Sequence, residues 1–241
     1  MLRMLLIIWI LAAPAAAKDK LLVFAAASQK DAMEQIGGIY ASICNCELVF
    51  SFAATSTLAR QVDAGAEADV IVTANEAWAD WLELRGKVNR DSRAVIAGNR
   101  LVIATSARTK DSFNILWRGQ FAMADPVSVP AGIYARQALE NMGIWSKVRK
   151  NAVFSENVRV ALSAVRRGDL LSGIVYQSDL SLVDGLKSHY VFPPNSHEPI
   201  HYVALARTKA PSATDFISFL RGDVAKNVFS KFGFLNVPAI N

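Results

Sequence analysis

Short runs of branched and aromatic residues recur along this chain, and stretches with helical spacing separate most of them. The runs are KLLVFAA, CELVFSF, ADVIVTA, RLVIAT, QFAMAD, GIVYQ, HYVFP and HYVALA. Between them lie STLARQVDAG, EAWADWLELRG, AGIYARQALENMG, ENVRVALSAVRRGD and DFISFLRGDVAKNVFSKFG. Strands alternating with helices, and helices closing on Gly65, Gly86, Gly143 and Gly168, predict an α/β protein with mostly parallel sheets. Ligands in such folds sit beyond the carboxyl ends of the strands. There is no internal repeat, low-complexity tract or flexible linker, so any two lobes are joined by ordered chain. The strands around 101–105 and 202–206 are the candidate crossings, with the last helix returning to the first lobe.

The first 17 residues, MLRMLLIIWILAAPAAA, combine an early Arg, an apolar core and an Ala-x-Ala ending. That pattern is a cleavable secretory signal peptide, with cleavage near Ala17, and is too short for a membrane span. No cysteine follows the apolar core, so no lipid anchor is expected, and a periplasmic location fits best. The remaining 224 residues are enough for one large domain or two small ones. One of the 26 basic residues lies in the leader, leaving 25 against 21 acidic ones, a formal +4. This mild excess favours anions. It does not point to nucleic acid, because no basic run exceeds two residues and the aromatics are not interleaved with them. Cys44 and Cys46 are compatible with an oxidising compartment, but a bridge over one intervening residue opposes ordinary disulfide geometry.

Enzyme signatures are missing: there is no G-x-S-x-G, P-loop, dinucleotide fingerprint or H-E-x-x-H. His189, His197 and His201 fall in a loop-like stretch without metal-ligand spacing. Ser28, in VFAAASQKDA, reads as a helix N-cap. A nucleophilic role would need a base, and no histidine is assigned beside it by sequence. What stands out is a set of strand-to-helix junctions made of small and hydroxyl residues: Ser28, then Thr55 to Thr57, Pro130 to Gly132, and Asn157 with Val158. Each turns unpaired backbone amides and a positive helix end outward, a favourable place for an anion.

These junctions sit in stretches that resemble the periplasmic molybdate-binding proteins of ABC transporters. The matching segments are VFAAASQKDAM, SFAATSTLARQVDAGAEADVIVTANEAW, ADPVSVPAGIYARQALENMGIW, ENVRVALSAVRRGD, GIVYQSD and FLRGDVAKNVFSKFGF. The resemblance implies a two-lobed type II periplasmic binding fold, each lobe a mostly parallel sheet flanked by helices, with an oxyanion in the cleft. Lobe 1 is then residues 18–102 plus 203–241, and lobe 2 residues 103–202. It further implies that Ser28 binds the anion by hydroxyl and amide, that Thr55 keeps the hydroxyl of a ligand serine while adding a methyl group, and that Ala131 and Val158 bind by backbone amide and Tyr176 by its phenol. Two departures accompany it. Ala54 and Thr55 stand where serines are usual, and Lys30 stands near the first helix start where an uncharged residue is commoner.

Backbone amides can only donate and hydroxyls can turn their hydrogens inward, so a pocket lined by both suits a fully deprotonated tetrahedral dianion; protonated phosphate is better served by a carboxylate acceptor, which none of these residues supplies. The resemblance therefore implies molybdate, with tungstate, as ligand, no cofactor and no metal-cation ligand. Partners would be the permease and ATPase of an ABC importer, with the binding protein itself monomeric. The alternatives are another oxyanion such as sulfate or thiosulfate in the same fold and, more distantly, a secreted serine hydrolase using Ser28.

Overall fold

The computed structural model describes residues 19–106, 114–181, 183–207 and 209–237. The leader read in residues 1–17 lies outside them. The strands in chain order are β1 (Lys20–Ala26), β2 (Glu47–Ala53), β3 (Val70–Thr73), β4 (Ala94–Gly98), β5 (Leu101–Ser106), β6 (Phe121–Ala124), β7 (Ala152–Ser155), β8 (Ser172–Tyr176), β9 (Leu186–Val191) and β10 (His201–Ala206). The helices are α1 (Lys30–Cys44), α2 (Thr55–Asp63), α3 (Glu76–Leu84), α4 (Ile115–Arg118), α5 (Pro130–Asn141), α6 (Trp145–Val148), α7 (Val158–Arg167), α8 (Gln177–Leu180), α9 (Pro211–Arg221) and α10 (Asp223–Lys231). None of the described helices is long and apolar enough to cross a membrane.

The strands form two five-stranded sheets of matching design, ordered β2-β1-β3-β10-β4 and β7-β6-β8-β5-β9. In the first sheet β1 pairs parallel with β2 and β3, and β10 pairs antiparallel with both β3 and β4. The second repeats this with β6, β7 and β8 parallel and β5 antiparallel to β8 and β9. Each sheet thus has four strands running one way and a single reversed strand between the last two. Four of five strands running together fit the mostly parallel sheets expected from sequence, and the one reversed strand makes the hydrogen-bond ladders of each sheet mixed. The reversal has a topological cause. β5 and β10 are the strands by which the chain enters each sheet from the other, so they begin at the end where the other strands finish and run away from it.

Burial explains why the runs are so uniformly apolar. In β3, Val70 and Val72 face a large core that extends through both sheets, while Ile71 faces a smaller cluster with Leu58, Leu82 and Leu205. Successive side chains alternate faces, so a strand covered on both sides needs an apolar residue at every position.

The helices start and stop as their residues dictate. Gly65, Gly86, Gly143 and Gly168 all take positive φ just beyond helix ends, Gly168 at 82° as the left-handed cap of α7. DFISFLRGDVAKNVFSKFG is two helices, because Gly222 in extended backbone ends α9 and begins α10. The structure joins Cys44 to Cys46 as a disulfide, the pairing that the sequence leaves open. Asn45, between them, adopts left-handed backbone (φ 52°) where α1 ends, and the Cα atoms stand 5.2 Å apart. Within α1, Gly38 is exposed, and a Cβ built there has nothing within 4 Å. Gly38→Ala is expected to raise stability by about 0.5–1 kcal/mol through helix propensity. Urea unfolding reads this directly, and a loss of stability would contradict the open space at this position.

Candidate ligand site

The carboxyl ends of β1, β2, β3 and β8 and the amino ends of α2, α5 and α7 converge on one cavity. After β1 it is lined by Ala26, Ala27 and Ser28, after β2 by Ala53, Ala54 and Thr55, and after β3 by Ala74. The second sheet contributes Val129, Pro130 and Ala131 from the start of α5, Asn157 and Val158 from the start of α7, and Tyr176 from the end of β8. All five residues singled out in the sequence, Ser28, Thr55, Ala131, Val158 and Tyr176, line it. The space open to the centre of a water-sized sphere is about 20 Å³. A sphere of that volume has a radius of about 1.7 Å, and the water's own radius of about 1.4 Å extends the void to roughly 3 Å, room for one compact ion.

The alanines keep the walls close to the backbone, and the hydroxyls are oriented by their neighbours. Ser28 is not an N-cap. It lies inside a one-turn 3-10 helix, Ala27–Gln29, and α1 is capped by Gln29 without a side-chain bond. Its hydroxyl is freed for Tyr202, whose phenol oxygen is 3.0 Å away. Thr55 is the first residue of α2 rather than its cap, and its hydroxyl accepts from the Ala74 amide at 3.0 Å. With a lone pair so engaged, its hydrogen is free to turn toward the cavity.

Helix ends supply the amides. Asn157 caps α7 by accepting from Arg159 and Val160 at 2.9 and 3.0 Å, which leaves the Val158 amide as the unpaired donor of that turn. Pro130 opens α5, so Ala131 carries the first free N–H of that helix. The Tyr176 hydroxyl is buried without a partner among the described residues. Burial, followed by the nearby Tyr202 and Tyr134, holds its phenol well above the ordinary range, so it remains a donor at neutral pH. An orphaned buried donor facing a cavity of free amides calls for an acceptor ligand.

Residues 21–235 match the family described as bacterial extracellular solute-binding protein. This chain belongs to that family. The solute-binding protein is 37% identical to the molybdate-binding protein ModA of Haemophilus influenzae over 232 residues, covering 91% of each chain. The fold matches the periplasmic molybdate-binding protein of Azotobacter vinelandii with a TM-score of 0.81 at 24% identity, covering 90% of this chain and 100% of that one. The sulfate-binding protein SubI of Mycobacterium tuberculosis shares the fold at 15% identity, with a TM-score of 0.76 and coverage of 90% and 86%.

In this solute-binding protein the charged groups stand behind the cavity wall. Arg159, in the first turn of α7, donates to the Ser28 carbonyl at 3.1 Å and pairs with Asp31 of α1 at 2.7 Å. Its Nε lies 2.8 Å from Asp179, which is fully buried and accepts from the Tyr176 amide at 3.0 Å. One guanidinium therefore links a residue that follows β1 to the residue that ends β8. Burial pushes the Asp179 carboxyl up to about 6, although Arg159 and the Tyr176 amide pull it down. Trp78 makes a second link across the halves, its indole N–H donating to the Ser128 carbonyl at 2.9 Å. Lys30 turns away to Glu34 at the surface. His201 pairs with Glu76 at 2.6 Å and His197 with the Glu198 carbonyl at 2.7 Å.

The sequence reading did not single out Tyr202, Asn99, Arg159 or Asp179. Arg159 and Asp179 do stand inside stretches that carry the resemblance, ENVR and YQSD. Tyr202 lies in a run read only as a strand, Asn99 falls just before the run RLVIAT and in no stretch read from the sequence, and no local pattern marks either.

Proposed function

We propose that this protein captures molybdate, and tungstate with it, in the cavity between its two sheets and delivers it to an ABC importer. The observation that carries this reading is the character of the lining: hydroxyls, a phenol and helix-terminal amides, without a carboxylate, around a space of one ion. Such a lining favours a dianion that has no proton to place. Relatives named for molybdate, at 37% identity, support the choice among tetrahedral anions.

In this reading Ser28 and Thr55 bind through hydroxyl and amide, Ala131 and Val158 through amides, and Tyr176 through its phenol. Charge-assisted hydrogen bonds of about 1.5–3 kcal/mol each, less the costs of desolvation and closure, suffice for tight binding without a buried countercharge. Taking the lobes as the two sheets moves Leu101 and Val102 into lobe 2 and His201 and Tyr202 into lobe 1 relative to the bounds expected from sequence; the lobes close like a hinge at the two crossings, so only the closed form completes the donor set. The protein works as a periplasmic monomer without cofactor or catalysis, its closed shape being what the permease and ATPase complex recognises. A hydrolase reading is not favoured, because Ser28 meets a phenol where a nucleophile would need a base.

Calorimetry of the mature protein with molybdate, tungstate, sulfate and phosphate tests the proposal. Tight binding of the first two is expected, and silence with both would sink it. Tyr176→Phe is expected to weaken molybdate roughly tenfold, the low end for a hydrogen bond to a charged group. An unchanged titration midpoint would remove Tyr176 from the donor set.

A further inference from the structure

We infer that Asn99 and Tyr202 form a hydrogen-bond relay that sets the Ser28 hydroxyl as an obligate donor toward the cavity, and so govern which protonation state of an oxyanion is accepted. This deepens the proposed function and rests on it. Asn99 is the first of the two residues between β4 and β5, at one crossing, and Tyr202 is the second residue of β10, just after the other. Both side chains are buried.

The direction of each hydrogen bond follows from groups that have no choice. The Arg100 amide can only donate, and it meets the Asn99 carbonyl oxygen at 2.9 Å, with the Ser178 amide at 3.4 Å on the same atom. That fixes the amide orientation, so the Asn99 nitrogen faces Ser178 Oγ at 2.7 Å and the Tyr202 phenol at 3.1 Å. Tyr202 accepts from Asn99, and because its own buried hydrogen also needs an acceptor, the contact with Ser28 Oγ at 3.0 Å is assigned with the phenol donating. Ser28, having accepted, turns its hydrogen into the cavity. Two backbone amides thus dictate, through two side chains, the polarity of an atom that faces the ligand. The nearby charge, Arg159, touches the Ser28 carbonyl and not its hydroxyl.

Asn99→Asp reverses the relay with little change of shape. The carboxylate accepts from the Arg100 and Ser178 amides, from Ser178 Oγ and from Tyr202, a donor set that keeps it ionised. Tyr202 must then donate to it and accept from Ser28, which turns the Ser28 hydrogen out of the cavity and presents a lone pair instead. Titrations with molybdate and with hydrogen arsenate at about pH 8 separate this from a charge effect. Both ligands are dianions there, and only arsenate carries a hydroxyl to offer.

Expected is a loss of molybdate affinity of about tenfold or more in Asn99→Asp, with arsenate falling much less or gaining, so that their ratio moves about tenfold. Tyr202→Phe cuts the relay without reversing it and should change both affinities only a few-fold. The double variant should return the ratio to that of Tyr202→Phe. Equal losses for both anions in Asn99→Asp, or a shifted ratio that survives in the double variant, would overturn the relay. A wild-type protein silent to molybdate would overturn the proposed function and this inference together.

Discussion

Gly132→Ala is expected to lower stability by about 3 kcal/mol or more, a drop in Tm of roughly 10 °C for a chain of this size, and to weaken molybdate at least tenfold. Gly132 is the third residue of α5, where the helix start presses onto the end of β6. A Cβ built there overlaps the carbonyl oxygens of Ala124 and Asp125, which are backbone and have no rotamer to give way. The helix must lift, and the Ala131 amide, one residue earlier, lifts with it. Asp125 resists this shift, because its carboxylate already accepts from the Val127 and Ser128 amides, both at 2.9 Å. Paired thermal unfolding and calorimetry check both halves of the expectation. Gly38→Ala serves as the contrast, since the same methyl group meets open space there. A Gly132→Ala protein with unchanged Tm would show that α5 is not seated as tightly as the backbone contacts require.

Elements buried on both faces could be read from the chain because burial leaves a continuous apolar signature. β1, β3 and β10 are of this kind. β7 lies at the edge of its sheet with Val153 and Phe154 exposed, and four residues of AVFS offer neither a long run nor an alternation. β4 escapes for a different reason. AVIAG is separated from LVIATS by Asn99 and Arg100 alone, a spacing that ordinarily signals a hairpin, yet the two strands enter different sheets. Two residues suffice because the link passes between the sheets at the end where both β4 finishes and β5 begins.

The five residues of the candidate site were legible as junctions and through their resemblance. What holds them was not. A sequence shows that Ser28 carries a hydroxyl; it does not show that Tyr202, 174 residues away, is the partner that orients it. The reading of Ser28 as a cap fails for the same reason. Capping is a local rule, and here a tertiary partner competes for the hydroxyl while a turn of 3-10 helix takes the residue inside. Asn157, whose only competitors are its own following amides, caps as the local rule says.

Arg159→Met should have a still larger effect, about 3–5 kcal/mol at pH 8, because it strands the fully buried Asp179 without its cation. The pH dependence identifies the cause. Asp179 has a folded pKa of about 6 against an ordinary value of 3.8, so between these the folded state holds the extra proton. The stability contributed by this group therefore falls as pH rises from about 4 to about 6 and is level above that. Without Arg159 the folded pKa climbs further, and the variant goes on losing stability at a pH where the wild type has levelled off. The gap between the two proteins should accordingly be small below about pH 6, near 1 kcal/mol for the lost hydrogen bonds, and widen upward from there. Urea unfolding of both proteins from pH 5 to pH 8 measures it, and a gap independent of pH would show that the cost lies elsewhere than in Asp179. Because the same guanidinium holds the Ser28 carbonyl and Asp31 on the opposite half, molybdate should also leave the variant about tenfold faster, the worth of one charge-assisted hydrogen bond. A single guanidinium outside the cavity lining thus ties the residues after β1 to the end of β8.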